Sequence, residues 1–446
     1  MADEFERFGN RSIITGMKPL RWMFAMLFCL RMNAAPVPEA NYDESKIGTI
    51  TLPDLLTMAN GAKAATAEDW KAKRRPEILE LYKREMFGRS PGRPPGLKFE
   101  VKSTKTNALD GLATRREILV SVPAQPKWPG MMVLVYTPNK ASKPAPAFAG
   151  LSFGGNYTVT TEPDVAMTTR WVPNARGVIA DNRANEASRG MEASRWPIRM
   201  ILERGFALAT AYYGDLEPDY NQGYKESVRS LFGDYTENPD QAPEGWSAIG
   251  AWAWGLSRMM DLLETLPEID ARKVAVIGHS RLGKTSLWAG ASDERFAMVI
   301  SNNSGEGGAA ISRRNIGETV HRINNSFPHW FNGNYKKYNQ NVNALPFDSH
   351  MLVALAAPRP VYIASAVEDT WADPKGEFLA GVYADPAYRL FGREGISDTT
   401  QPPVNHPVGN FIGYHIRTGK HDVTDYDWDQ YLQFADRHLR GAAVKN

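Results

Sequence analysis

Val274-Ala-Val-Ile-Gly-His-Ser280-Arg-Leu-Gly-Lys284 is the stretch on which the reading of this chain turns. Val274 to Ile277 are apolar or β-branched and predict a buried strand. Gly278 and Gly283 flank a sharp turn, and the segment Thr285 to Ala291 predicts a helix. A serine at such a strand–turn–helix corner is a nucleophile elbow. The tight turn lifts its Oγ above the sheet and aims nearby backbone N–H groups at the place where an oxyanion would form. The match to G-x-S-x-G is imperfect, because Leu282 stands where the last glycine belongs and Gly283 follows one residue later. Ser280 is the candidate nucleophile, and an ordinary tight turn is the alternative.

Working outward, strands are expected at Arg116–Val122, Gly130–Thr137, Pro146–Phe153, Phe206–Tyr213, Val274–Gly278, Met298–Ser301, Val361–Ser365 and Gly413–Thr418. Helical spacing marks Ala67 to Phe87, with Trp70, Ile78, Leu79, Leu81 and Tyr82 on one face and Thr66 with Asp69 as its start. Further helices are expected at Trp196–Arg204, Ser247–Leu266, Leu282–Ala291, Lys375–Leu390 and Tyr426–Leu439. Strands first in hairpins, then alternating with helices, imply an α/β architecture: a three-layer sandwich around a mostly parallel sheet. Active sites in such sheets lie beyond the carboxyl ends of the strands. Thr160–Met191 and Asp215–Pro243 break the alternation and read as long insertions over that edge. No internal repeat is present, and one catalytic domain over residues 36–446 is expected.

A serine nucleophile needs a base. In the α/β-hydrolase chain order, the acid and then a histidine on the last loop follow the serine. His421, after the last strand candidate and before the C-terminal helix, satisfies that order; His415 lies inside the strand and reads as a packed residue. The acid belongs after the penultimate strand, in Val367-Glu368-Asp369-Thr-Trp371-Ala-Asp373-Pro. Asp369 is the first choice there, with Glu368 and Glu306 as alternatives, while Asp373 before Pro374 suits a helix N-cap. The backbone N–H and the guanidinium of Arg281 are candidate oxyanion donors. Leu151-Ser-Phe-Gly154-Gly155-Asn156 has the form of a glycine-bearing oxyanion loop, or of a simple turn.

With 446 residues, 43 % hydrophobic and 23 % charged, the chain is globular, and a net charge of +2 gives no reason to expect nucleic acid or an anionic membrane as partner. Lys18 and Arg21 precede the apolar run Trp22–Leu30, which reads as an export signal within residues 1–35, with Met17 a possible true start. That run is short of the ~20 residues needed to span a bilayer. The one cysteine, Cys29, lies inside it, so a processed chain would carry no disulfide and no cysteine metal site. The 12 Trp and 17 Tyr read as core first, and as sugar-stacking platforms second. Tyr212-Tyr-Gly-Asp215-Leu-Glu217-Pro-Asp219 is acidic, and a solvated turn is expected there rather than a calcium site.

Several motifs together resemble the glucuronoyl esterases of carbohydrate esterase family 15. Gly278-His-Ser280-Arg281-Leu-Gly283-Lys284 matches that family's elbow, which is extended by Arg and Lys. Ser304-Gly-Glu-Gly-Gly-Ala-Ala310, His329-Trp330-Phe331 and Asn343-Ala-Leu-Pro-Phe-Asp348-Ser-His350 match three more of its motifs. The similarity covers residues 130–440 and has the bacterial form. It implies an α/β-hydrolase that cleaves esters between (4-O-methyl-)glucuronic acid on xylan and lignin alcohols, with no cofactor and no metal. It also implies that Lys284 binds the uronate hydroxyls, that Trp371 packs on the 4-O-methyl side of the sugar, and that Trp330 and His329 line the pocket. One departure matters: fungal members carry the catalytic Glu immediately before the Ser-Gly, where this chain has Asn303. The acid is then expected on the later loop, at Asp369 or Glu368. The chain is expected to be secreted or periplasmic and monomeric. The runner-up is an acetyl-xylan esterase or another carboxylesterase on the same fold; a non-catalytic carbohydrate binder and a peptidase are the remaining readings.

Overall fold

The computed structural model describes residues 39–141, 143–236 and 243–441. The expected export signal, with Met17 and Cys29, lies outside the described residues. The core is one sheet of ten strands: β1 (Lys98–Asn107), β2 (Ala113–Ser121), β3 (Met131–Pro138), β4 (Ala145–Ser152), β5 (Ala207–Tyr212), β6 (Ile269–His279), β7 (Met298–Asn302), β8 (Val361–Ala366), β9 (Val408–Gly409) and β10 (Ile412–Arg417). Their order is β1-β2-β3-β5-β4-β6-β7-β8-β10-β9. The five pairs from β5 through β4, β6, β7 and β8 to β10 are parallel, whereas β1, β2, β3 and β9 pair antiparallel at the two ends.

The period-2 alternation of apolar residues builds the three layers. Val133, Val135, Val274 and Val276 face one core, and Leu134, Tyr136, Ala275 and Ile277 face the other. The first core takes the helices Ala248–Leu263, Arg281–Ser292 and Pro374–Arg389, through Met259, Leu287 and Phe378 among others. The second takes Ile198–Glu203 and Asp425–Arg440, through Ile201, Trp428 and Tyr431. Ser247, Thr424 and Asp373 each cap a helix N-terminus with a side-chain oxygen, so Asp373 holds the structural post expected of it.

Three differences from the expected pattern have physical causes. β1 is missing from the expected strands because it is an edge strand paired only with β2, so it is largely exposed and carries Lys98, Lys102 and Lys105 in place of an apolar stripe. The helix from Ala67 to Phe87 starts at Thr66 as expected, but widens to π winding at Trp70–Arg74 and Lys83–Phe87, where Trp70, Arg74, Met86 and Phe87 are buried. The acidic run after β5 is no solvated turn. Asp215 and Glu217 are buried, Asp215 accepting from the Met132 N–H at 3.1 Å and Glu217 pairing with Arg229 at 2.6 Å. Burial lifts the Asp215 carboxyl to about 6.

The two insertions meet over the carboxyl edge of the sheet. Arg170 donates to the Glu226 carbonyl at 2.9 Å, and the rings of Trp171 and Tyr220 lie 5.3 Å apart. Aromatic residues are mostly core, and among the described residues Trp371 is the exposed tryptophan, at 37 %.

Candidate active site

Ser280 sits between the end of β6 and the helix Arg281–Ser292 with φ 56° and ψ −127°. A left-handed φ is costly for a residue with a side chain, so the surroundings must impose it. They do so through two glycines. A Cβ on Gly278 would lie 1.8 Å from the Leu282 carbonyl oxygen, and one on Gly283 would lie 3.0 Å from the Ser304 side chain. The shifted glycine at 283 therefore serves helix-to-loop packing. The Ser280 N–H is tied to the Asn302 carbonyl at 2.9 Å, whereas its hydroxyl does not cap the helix that follows. Oγ is left for chemistry at a partly exposed position.

His421 donates through Nδ1 to Asp369 Oδ2 at 2.6 Å. An ionised carboxylate only accepts, so the proton is on Nδ1 and the lone pair is on Nε2. The imidazole also lies against His279, with ring centroids 4.5 Å apart, and His279 is the residue immediately before Ser280. His279 is anchored from below by Asn302 Oδ1 at 2.6 Å, and burial holds it well under its ordinary value, hence neutral. The Asn303 amide donates to the same Asp369 Oδ2 at 2.7 Å. The alternatives lie elsewhere. The Glu368 side chain is exposed. Glu306 is buried and accepts from Tyr335 Oη at 2.7 Å and Ser312 Oγ at 2.9 Å, and burial lifts its carboxyl to about 8. His415 is buried between Tyr362 Oη (3.0 Å) and Asp427 (2.9 Å).

Arg281 reaches over an aromatic wall, its guanidinium carbon 4.6 Å from the Trp330 ring centre and 5.4 Å from that of Phe327. Those two rings stack at 3.8 Å. Nη1 of Arg281 bonds Asp219 Oδ2, which also accepts from Tyr213 Oη at 3.1 Å. Asp219 Oδ1 accepts from His329 Nε2 and Trp330 Nε1, each at 2.7 Å. His329 and Trp330 are thus brought to the site as the support behind Arg281. Asp219 lies in the acidic run, and no sequence signal separates it from its neighbours.

Lys284 is no surface lysine. It is 3 % exposed, donates to the Ser304 carbonyl at 2.6 Å, lies 3.6 Å from the carboxylate of Glu318 and 5.7 Å from the Trp330 ring centre. Burial pulls its ammonium below the ordinary value, and Glu318 opposes that pull. The Glu318 N–H bonds the carbonyl of Trp371 at 2.9 Å, which ties the exposed tryptophan to the same loop. The loop holding Ser304 is fixed by Glu377, whose Oε1 accepts from the N–H groups of Ser304 (2.7 Å) and Gly305 (3.0 Å). Glu318 and Glu377 are further site residues that the sequence does not single out.

In the glycine-bearing loop after β4, the first N–H groups are taken by Glu192. The Phe153 N–H bonds Glu192 Oε2 at 3.1 Å, and the Gly154 N–H is directed to the same carboxylate. Arg281 and the N-terminus of its helix follow Ser280 directly in the chain and are the candidate donors beside the nucleophile. Among the described residues no group of three His, Cys, Asp or Glu side chains could hold a metal ion, and no helix is long and apolar enough to cross a membrane.

The family model described as "Glucuronyl esterase, fungi" matches residues 234–392. A curated carbohydrate esterase from an unknown prokaryotic organism is 47 % identical over 405 residues, covering 90 % of this chain and 93 % of that protein. The solved glucuronoyl esterase from Solibacter usitatus superposes with a TM-score of 0.83 at 51 % identity, covering 88 % of this chain and 99 % of its own. A promiscuous CE15 esterase from the marine bacterial metagenome also gives a TM-score of 0.83, at 46 % identity, over 90 % of this chain and all of its own (100 %).

Proposed function

The chain belongs to carbohydrate esterase family 15, the glucuronoyl esterases, and from that premise we propose how it cleaves its ester. It is a carboxylic ester hydrolase acting on the ester between (4-O-methyl-)glucuronic acid of glucuronoxylan and an alcohol of lignin. Ser280 is the nucleophile, His421 the base and Asp369 the acid that orients it.

Nε2 of His421 takes the Ser280 proton as Oγ bonds the uronoyl carbon, and the carbonyl π pair moves onto oxygen. The guanidinium of Arg281 and the backbone N–H groups at the start of its helix stabilise that oxyanion, as positive charge and oriented donors do where negative charge develops. The oxyanion collapses, the C–O bond to the alcohol breaks, and the alkoxide leaves with the proton from His421. Water then adds to the acyl-enzyme by the same route, releasing glucuronate and restoring Ser280. Asp369 holds the imidazole with its lone pair towards Ser280 and stabilises the transient imidazolium. Lys284 and Glu318 offer one cation and one carboxylate to the ring hydroxyls, and Trp371 offers an exposed ring face to the sugar.

The observation that carries this reading is the 2.6 Å bond from His421 Nδ1 to Asp369 with His421 packed on the residue next to Ser280. Hydrolysis of benzyl glucuronate beside a plain acetyl ester, by wild type and Ser280→Ala, tests it. Expected is a preference for the uronate that disappears in Ser280→Ala. Activity on the acetyl ester alone would favour the acetyl-xylan esterase reading. The basic and apolar segment within residues 1–35 supports export of the enzyme to its polymeric substrate.

A further inference from the structure

The Asp219 side chain is 2 % exposed, and its two oxygens take four donors: His329 Nε2 and Trp330 Nε1 on Oδ1, Arg281 Nη1 and Tyr213 Oη on Oδ2. That fills the acceptor capacity of a carboxylate. The four donors come from three separate segments: the strand-to-helix corner, the turn after β5 and the loop at 329–330. Burial alone would favour the protonated acid, but Arg281, His329 and Trp330 outweigh it and keep Asp219 ionised well below the usual carboxylate range.

The consequence falls on Arg281. An arginine has a long, rotatable stem, and a donor that must be ordered at the moment of reaction stabilises the transition state less than one already in place. Here the stem is pinned twice. Nη1 is held by Asp219, and the guanidinium plane lies over Trp330, whose own indole N–H is held by the same carboxylate. The Arg281 side chain nevertheless remains 28 % exposed, so it is fixed without being sealed off. A guanidinium fixed through Nη1 and still partly exposed is a donor set in place for a charge that forms only during turnover.

We infer that Asp219 is a positioning residue for the hydrolysis, acting on the oxyanion through Arg281 and fixing Trp330 and His329 as the guanidinium's support. The inference rests on the oxyanion role assigned to Arg281 above. It also gives the acidic run after β5 a purpose: Asp215 and Glu217 anchor the turn to β3 and Arg229, and Asp219 at its end reaches the site.

A double-mutant cycle tests it, with kcat and KM for benzyl glucuronate measured for wild type, Asp219→Asn, Arg281→Met and the double variant. Arg281→Met is expected to lower kcat by on the order of 10²–10³-fold, as for removal of one oxyanion donor. Asp219→Asn is expected to lower kcat by ~10- to 100-fold with KM changed less than about threefold, and to keep the acid limb of the pH profile, because His421 is untouched. The double variant should fall no more than about twofold below Arg281→Met alone, since the carboxylate then has no guanidinium to position. Losses that multiply in the double variant, or an Asp219→Asn effect confined to KM, would overturn the inference while leaving Arg281 in its role. An Arg281→Met enzyme with undiminished kcat would instead remove the oxyanion assignment and this inference with it. If Asp219→Asn does not fold, Asp219→Glu, which keeps the charge but displaces it by one methylene, enters the same cycle with the same non-additivity expected.

Discussion

Asn303 and His421 donate to one and the same oxygen of Asp369, at 2.7 and 2.6 Å. The position at which the fungal pattern places an acid is thus occupied by an amide that bonds Asp369 on the neighbouring strand's loop. Two N–H donors on one oxygen fix the plane of the Asp369 carboxyl group, so the imidazole it holds has one orientation.

Asp369→Asn should therefore lower kcat by on the order of 10³–10⁴-fold, because an amide there presents the wrong partner to Nδ1–H. Asn303→Ala removes a hydrogen bond to a charged group, worth about 1.5–3 kcal/mol, and should lower kcat by ~10- to 100-fold with little change in KM. Steady-state kinetics on benzyl glucuronate checks both. Full activity in Asp369→Asn would return the acid role to Glu368 or Glu306.

Lys284 lies buried among Ser304, Glu318 and Trp330, one helical turn from Ser280. Lys284→Ala should reduce kcat/KM for a glucuronate ester by at least about tenfold more than for a simple acetyl ester. Parallel assays on the two substrates decide the matter, and equal losses would remove Lys284 from sugar recognition.

Glu306 and Glu377 are buried carboxyls lifted by that burial to about 8, against 4.5 for the free side chain. Between those values the folded chain keeps protons that the unfolded chain gives up, so unfolding releases protons there. Stability accordingly falls as pH rises from about 4.5 to about 8 and levels off above. Tm followed from about pH 5 to about pH 9 should decline, and Glu377→Gln, which cannot ionise, should decline less steeply. Identical slopes would show that Glu377 does not carry the effect.

The central strands were legible because each alternates apolar residues between two cores, as Val274 and Val276 do against Ala275 and Ile277. β1 was not, since an edge strand has one partner and little to bury. Ser280 and His421 follow from chain order in a sheet of this topology. Asp369 and Glu368 are neighbours on the chain, and only the fold turns one towards His421 and the other to solvent. Asp219, Glu192 and Glu318 sit in irregular polar stretches whose composition suits a solvated surface. Their burial comes from contacts made far along the chain, such as Asp219 with residues 281, 329 and 330, which periodicity cannot register.

The Glu192 carboxylate that occupies the N–H groups of Phe153 and Gly154 changes how this enzyme can evolve. In many hydrolases of this architecture both oxyanion donors are backbone groups, present whatever side chain is encoded. With Arg281 in the oxyanion role proposed above, part of that task passes to a side chain. A single codon change can then weaken or abolish turnover while leaving the sugar-facing groups and the sheet intact. On that proposal, a chain that binds a glucuronate ester without cleaving it lies within one mutational step of this esterase.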